Sequence, residues 1–296
     1  MLLSSLTSWA QCGGGYGAPI FTETFGNATN PKYGPPLTVD AGIGTDYSTG
    51  ATNFIYQDPS LGGVQDNYYT IATSPVIGHS DWVDIKDHTG DANGKMLIVN
   101  ASYATKVFYK RKVSNLCQRT NFLFSAWIVE VNGPQSLQIC GGSCLPSNVA
   151  FEVQDSLGNI LHSTTTGNIT ATGATNPPWA NYSFSFNTGS YSTVYVVLRN
   201  LAPGGCGNDL AIDDISFRAC GPSINFIKPA GQVCLNNSVS FKAIPSAGYS
   251  PPYFQWQQST DNGVTWGDIS GANDTTYSIA KVQMYQNNYQ FRCLIA

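Results

Sequence analysis

The residues of this 296-residue chain best supplied for chemistry are carboxylates. Asp213 and Asp214 stand side by side in the run DLAIDDISF, so on a strand one side chain points inward and the other outward. An inward Asp must be paired, hydrogen-bonded or metal-bound, because an isolated buried carboxylate is too costly. With Glu23 and Asp87, the Asp213-Asp214 pair offers the hard oxygen ligands that a structural Ca2+ takes. The other reading is an Asp that braces a turn through hydrogen bonds. The segment Asp87-His88-Thr89-Gly90-Asp91-Ala92-Asn93-Gly94 lacks the terminal Glu and flanking helices of an EF-hand. It reads as a turn network in which Asp and Asn side chains hold backbone N–H groups.

Catalytic groups are scarce. His79, His88 and His162 form no H-E-x-x-H or H-x-H cluster, and no serine sits in G-x-S-x-G. Glu130 and Glu152 lie in alternating runs that make them solvent-facing strand positions rather than a glycosidase pair. The chain is therefore expected not to be an enzyme. Aromatic rings that stack on sugar faces are better supplied, by Tyr68, Tyr69, Tyr103, Tyr109 and Trp179. Tyr68, Tyr69 and Trp179 are taken as ligand-binding candidates, and Trp179 follows Asn-Pro-Pro at the opening of a strand.

The elements that must position these groups are strands. Runs bounded by Gly, Pro, Asn or Asp recur up to residue 220, and none has a helical period. In NFLFSAWIVEV, Phe122, Phe124, Ala126 and Ile128 fall on one face and Leu123, Trp127 and Val129 on the other, which predicts a central strand. About nine strands over residues 11–221 fit a two-sheet β-sandwich. After a linker at 222–230, residues 231–296 carry Cys234, Trp256 and Cys293 in the order of an immunoglobulin-like sandwich, with a Cys234–Cys293 disulfide packed on the Trp. That domain is expected to be incomplete, lacking a strand after Cys293. Asp261-Asn262-Gly263 within the STDNGVTW box reads as a hairpin turn.

Composition narrows the compartment and partners. A net charge of −4, without any acidic or basic block, argues against nucleic acid as a partner. No run of about 18 apolar residues occurs to form a membrane-spanning helix. Residues 1–10, MLLSSLTSWA, end in a small-x-small form and read as a signal-peptide remnant. Eight cysteines in an exported chain favour disulfides over zinc. Cys12 and Cys220, at the two ends of the first domain, are paired on that ground; Cys117, Cys140, Cys144 and Cys206 leave three connectivities open.

The stretches WVDIKDHTGDANGKMLIVNAS (82–102) and DLAIDDISFRACGP (209–222) resemble the landmarks of extracellular jelly-roll modules of the MAM type. The order CGGGYGAP, TFG, GPPL, DHTGDANG and PGGCGNDLAIDDI resembles a module of exported surface proteins of Bacteroidetes. Such modules share their architecture with carbohydrate-binding modules and often carry a structural Ca2+. Residues 231–296, with FQWQQSTDNGVTW and YQFRC, are similar to immunoglobulin-like repeats of large bacterial adhesins, although Phe291 stands where many place a bracing Tyr. The resemblance implies an all-β chain, a jelly-roll β-sandwich followed by an immunoglobulin-like one. It further implies a secreted or cell-surface adhesion protein whose partner is a glycan or a surface protein, with further domains beyond residue 296. The alternative is the carbohydrate-binding accessory region of a larger secreted hydrolase.

Overall fold

The computed structural model describes residues 16–27, 32–37, 54–101, 103–221, 224–229, 231–245 and 252–295. The expected signal remnant and Cys12 lie outside them. The chain divides into two compact units, the first holding residues 17–219 and the second continuing from 220. Among the described residues the first unit is built on eleven strands: β1 (Tyr16–Glu23), β2 (Ile55–Tyr56), β3 (Tyr68–Ala72), β4 (Met96–Val99), β5 (Lys106–Val113), β6 (Asn121–Glu130), β7 (Val149–Gln154), β8 (Ile160–Thr165), β9 (Ala180–Asn187), β10 (Val194–Asn200) and β11 (Leu210–Cys220). One sheet runs β2-β3-β4-β11-β6-β9, with β1 also paired to β11; the other runs β5-β10-β7-β8. A short helix, α1 (Pro134–Ile139), lies in the connection from β6 to β7.

The two-residue period of β6 dictates the layering. Phe122, Phe124, Ala126 and Ile128 join Phe151, Leu198 and Phe217 in the core between the sheets. The opposite face of the same sheet is covered over part of its length, where Trp82, Val83 and Ile85 pack on Met96, Ile98, Val129, Val131 and Ala211. With both faces apolar, β6 lies inside the sheet between β11 and β9. The basic run Lys110-Arg111-Lys112 lies on β5, an edge strand, where charge discourages pairing with other chains. Strand β8 has mostly exposed side chains and no apolar alternation, so its backbone pairing with β7 places it and its sequence does not announce it.

Two carboxylates read as solvent-facing are buried. Glu130 continues the inward phase of Ile128 at the end of β6, and Glu152 on β7 takes a two-point ion pair from Arg199, at 2.7 and 3.1 Å. Alternation assigns a face, but strand position decides whether that face is covered.

The second unit pairs two three-stranded sheets. One is formed by β12 (Ile224–Ile227), β13 (Val239–Pro245) and β16 (Thr276–Ile279); the other by β14 (Phe254–Ser259), β15 (Gly267–Asp268) and β17 (Gln290–Ile295). The segment expected to be a linker contributes β12, which pairs with β13. Trp256 is fully buried, with its indole N–H donated to Asp274 O at 2.8 Å, as an immunoglobulin-like core requires. The hairpin at Asn262-Gly263 has positive φ at both residues, and Asp261 accepts from the backbone N–H and hydroxyl of Thr265.

The disulfide expected beside Trp256 is not formed, and Cys234 and Cys293 are both free thiols. The reason is register. Cys234 is exposed in a turn ahead of β13, and the β13 residues at the cluster of Trp256 and Cys293 are Ala243 and Phe241. In the first unit Cys140 is joined to Cys206, Cys220 is disulfide-bonded, and Cys117 and Cys144 are free. Closing a loop with a sequence separation of 66 removes unfolded-state freedom. The double replacement Cys140→Ser with Cys206→Ser is expected to lower the unfolding free energy by about 2–4 kcal/mol in urea titrations, with the far-UV circular dichroism of the native state unchanged.

Candidate functional site

The most developed polar construction in the first unit grows from the Asp213-Asp214 pair. Register between β11 and β6 is regular from Leu210 to Asp213 and resumes at Ser216, so a bulge lies between. Asp214 adopts φ +46°, a left-handed conformation that Asp tolerates better than most side chains. The bulge aims the two carboxylates at one loop. Asp213, fully buried, accepts through Oδ2 from the backbone N–H groups of His88 (2.9 Å) and Thr89 (3.2 Å) and from the Thr89 hydroxyl. Its Oδ1 accepts from the N–H of Asp214 at 2.8 Å. Asp214 takes the Thr89 hydroxyl at 3.0 Å and stands 2.6 Å from His88 Nδ1.

Within the loop, the buried Asp87 accepts from Gly90 N at 3.2 Å. Its carboxylate lies so close to Gly94 that a Cβ there would collide with Asp87 Oδ2, which explains the glycine. On the far side, the Trp179 indole donates to Lys86 O at 3.2 Å. Thus clamped, His88 lies flat on Trp127, with centroids 3.8 Å apart and planes 15° from parallel, while Trp179 meets His88 edge-on at 6.0 Å. All three rings are partly exposed, and together they make an aromatic step on the outer face of the larger sheet. Polar residues extend that face: Ser125 on β6 is aligned with Ser183 on β9 and Ser216 on β11.

The structure brings Asp87, Asp213 and Asp214 to one loop but leaves Glu23 apart. Glu23 accepts from Phe25 N and stands 3.6 Å from the Arg111 guanidinium, which lies over the Phe21 ring. Asp213 is the buried member of the pair and Asp214 the half-exposed one. Their oxygens are engaged by loop N–H and hydroxyl groups, so the set does not fit Ca2+ and instead braces the turn. Among the described residues no group of three or more His, Cys, Asp or Glu is arranged to hold a metal.

Of the aromatic candidates, Trp179 joins the step, and Tyr68, Tyr69 and Tyr109 do not. Tyr69 is buried in the core, receives Leu37 N on its hydroxyl and packs edge-on against Tyr56, because it shares the inward phase of Ile71. Tyr68 is half-buried beyond the row that aligns Tyr69, Val99, Leu210 and Glu130, away from the row of Asp213 and Trp127. Tyr109 is also a core residue. Sequence reasoning missed Trp127 and His88 as partners. The available signal was the outward phase of Trp127 on β6, next to Ser125 at the point where the apolar covering stops.

Residues 225–296 match a family described as a domain of unknown function, DUF8696. Comparison with curated proteins returns no match. Among solved structures the chain is similar to the CBM22-1 xylan-binding domain of Paenibacillus barcinonensis Xyn10C, at 10% identity over 69% of this chain and 96% of that one, with TM-score 0.35. It is also similar to a cyclase from Fischerella sp. TAU, at 11% identity over 66% and 87% with TM-score 0.39, and to a CBM4 module, at 14% over 62% and 96% with TM-score 0.29. The sandwich itself is defined by the two sheets described above.

Burial pushes the Asp213 carboxyl up to about 7, against the pull of the N–H groups of Asp214, Thr89 and His88. Between the ordinary carboxylate range and about pH 7 the folded state therefore keeps a proton that the unfolded chain has released, so stability falls as pH rises through that window. One such group contributes a slope of up to about 1.4 kcal/mol per pH unit. Asp209 and Glu130, raised by burial to about 7 and about 8, act in the same direction. Urea titrations from pH 4 to 8 are expected to show a shallower decline for Asp213→Asn than for the parent. Equal slopes would mean that Asp213 is charged throughout.

Proposed function

We propose that the first unit is a non-catalytic glycan-binding module of an exported protein, and that the sugar stacks on the step formed by Trp127, His88 and Trp179. The observation that carries this reading is the half-exposed, pre-set ring cluster. Indole and imidazole faces offer apolar area to the C–H face of a pyranose, and their orientation is fixed before binding, which lowers the entropy lost on association. The exposed hydroxyl of Thr89 on the loop and the partly exposed hydroxyl of Ser183 on the same sheet face supply hydrogen-bonding groups nearby. A few placed polar groups beside apolar rings are what a sugar site needs.

The Cys140–Cys206 bridge supports an oxidising, extracytoplasmic setting. Among the described residues no helix is long and apolar enough to cross a membrane. In this reading the immunoglobulin-like unit acts as a spacer or adhesive repeat beside the binding module.

The test is affinity electrophoresis of the full chain in gels containing single polysaccharides. Retardation is expected in at least one neutral polysaccharide, and Trp127→Ala and Trp179→Ala are each expected to weaken it tenfold or more, which corresponds to about 1.4 kcal/mol. Tyr68→Ala should leave it unchanged. Retardation that survives both tryptophan replacements would place the sugar elsewhere.

A further inference from the structure

The outer face of one sheet in the second unit carries a guanidinium that is held in place yet meets no carboxylate among the described residues. Along β17, Cys293 and Ile295 join the core cluster and Phe291 packs on Phe241 and Tyr277, so Gln290, Arg292 and Leu294 point outward. Register then draws a row across the sheet. Arg292 on β17 stands opposite Gln257 on β14, and Gln257 opposite Asp268 on β15. Asp268 Oδ1 accepts from Gln257 Nε2 at 2.6 Å, and Gln257 Oε1 accepts from Arg292 Nε at 2.7 Å. These two bonds fix which end of the amide is oxygen and turn that end toward the arginine.

Trp266 supplies the floor. Its indole N–H donates to Gly263 O at 3.1 Å, and the turn that carries Gly263 is tied to β17 by Gln290 Nε2 donating to Asn262 Oδ1 at 3.0 Å. The Arg292 guanidinium lies over this ring, 4.3 Å from its centroid. One edge of the group is therefore held by an amide and one face by an indole. Its terminal amino groups make no hydrogen bond or ion pair among the described residues, and Arg292 is exposed. In the first unit, by contrast, Arg199 and Arg111 meet Glu152 and Glu23. Here a neutral amide takes the place of the carboxylate. Asp268 stands two strands away, about 10 Å at the usual strand spacing, and Asp261 in the turn is engaged by Ser259 and Thr265.

We propose that this row binds a carboxylate-bearing sugar, a uronate residue of an acidic polysaccharide, whose carboxylate takes the terminal amino groups of Arg292 in a two-point bond. The guanidinium fork matches a carboxylate in this way, and its charge does not depend on pH. Because the amide and the indole set its orientation before binding, little freedom is lost on association. The exposed amides of Asn262 and Gln290 border the ring and are placed for sugar hydroxyls. Of the outward side chains on β14 and β17, Leu294 alone is aliphatic, a composition that suits a sugar better than the apolar anchors of a peptide. The site lies within the second unit and does not rest on the aromatic step of the first.

The test titrates the full 15N-labelled chain with a galacturonate trimer and follows the tryptophan indole resonances. A saturable shift at Trp266 is expected, and Trp127→Ala should retain it. Arg292→Lys keeps the charge but loses the fork, and should weaken binding about tenfold or more. Gln257→Leu, which releases the guanidinium, should weaken it as well. A neutral sugar trimer should leave Trp266 unmoved. Absence of a saturable shift at Trp266 in the parent would overturn the proposal. So would Arg292→Lys binding as tightly as the parent, since a general attraction of anions needs only the charge. A glutamate trimer that binds as tightly as the galacturonate trimer would overturn it in favour of an acidic peptide.

Discussion

The first unit's candidate site depends on one buried carboxylate meeting two consecutive backbone N–H groups. Asp213 cannot be buried in its position without donors, and the loop at His88 and Thr89 cannot lie on the sheet with its N–H groups facing apolar surface. Each supplies what the other lacks. The bulge that follows Asp213 gives the neighbouring Asp214 its own line to His88 and to the Thr89 hydroxyl, so one irregularity in β11 sets both backbone and ring of the loop. The His88 ring can then rest on Trp127, and Trp179 closes the other side through Lys86. Remove Asp213 from this chain of dependencies and the aromatic step has no fixed middle member.

The same economy explains why this face is apolar at one end and polar at the other. Trp82, Val83 and Ile85 seal the part of the sheet that carries Met96, Ile98 and Ala211. The loop then turns away at Asp87, held by Gly90 and packed against Gly94. Beyond that point β6, β9 and β11 carry aligned serines, Ser125 and Ser216 buried and Ser183 partly exposed. The covering segment ends in the rings proposed to receive a ligand, so packing and recognition share one stretch of chain.

Much of this was legible in residue order. The alternation in NFLFSAWIVEV placed β6 at the interior of a sheet, and adjacent aspartates demanded that one be satisfied inside. What was not legible was any fact set by contact between distant segments. Alternation could not say that Glu130 and Glu152 lie on covered faces, nor that Tyr69 looks inward while Tyr68 does not share a site with Trp179. Cysteine order suggested a bridge from Cys234 to Cys293, but the turn that carries Cys234 lies ahead of β13. The bulge after Asp213, which takes Asp214 out of the inward phase of Ile212 and gives that phase to Ile215, has no signature in composition either. Glu23, matched to calcium by residue type alone, is drawn to Arg111 by the packing of β1.

Tryptophan is a spaced reporter in this chain, with side chains in the covered face (Trp82), in the step (Trp127 and Trp179) and in the second unit (Trp256 and Trp266). The most direct measurement follows the indole N–H resonances of the 15N-labelled protein during titration with soluble oligosaccharides from a polysaccharide that retards it. The account requires saturable shifts at Trp127 and Trp179, with those of Trp82, Trp256 and Trp266 unmoved. Shifts confined to Trp266, or saturation that leaves Trp127 and Trp179 in place, would contradict it.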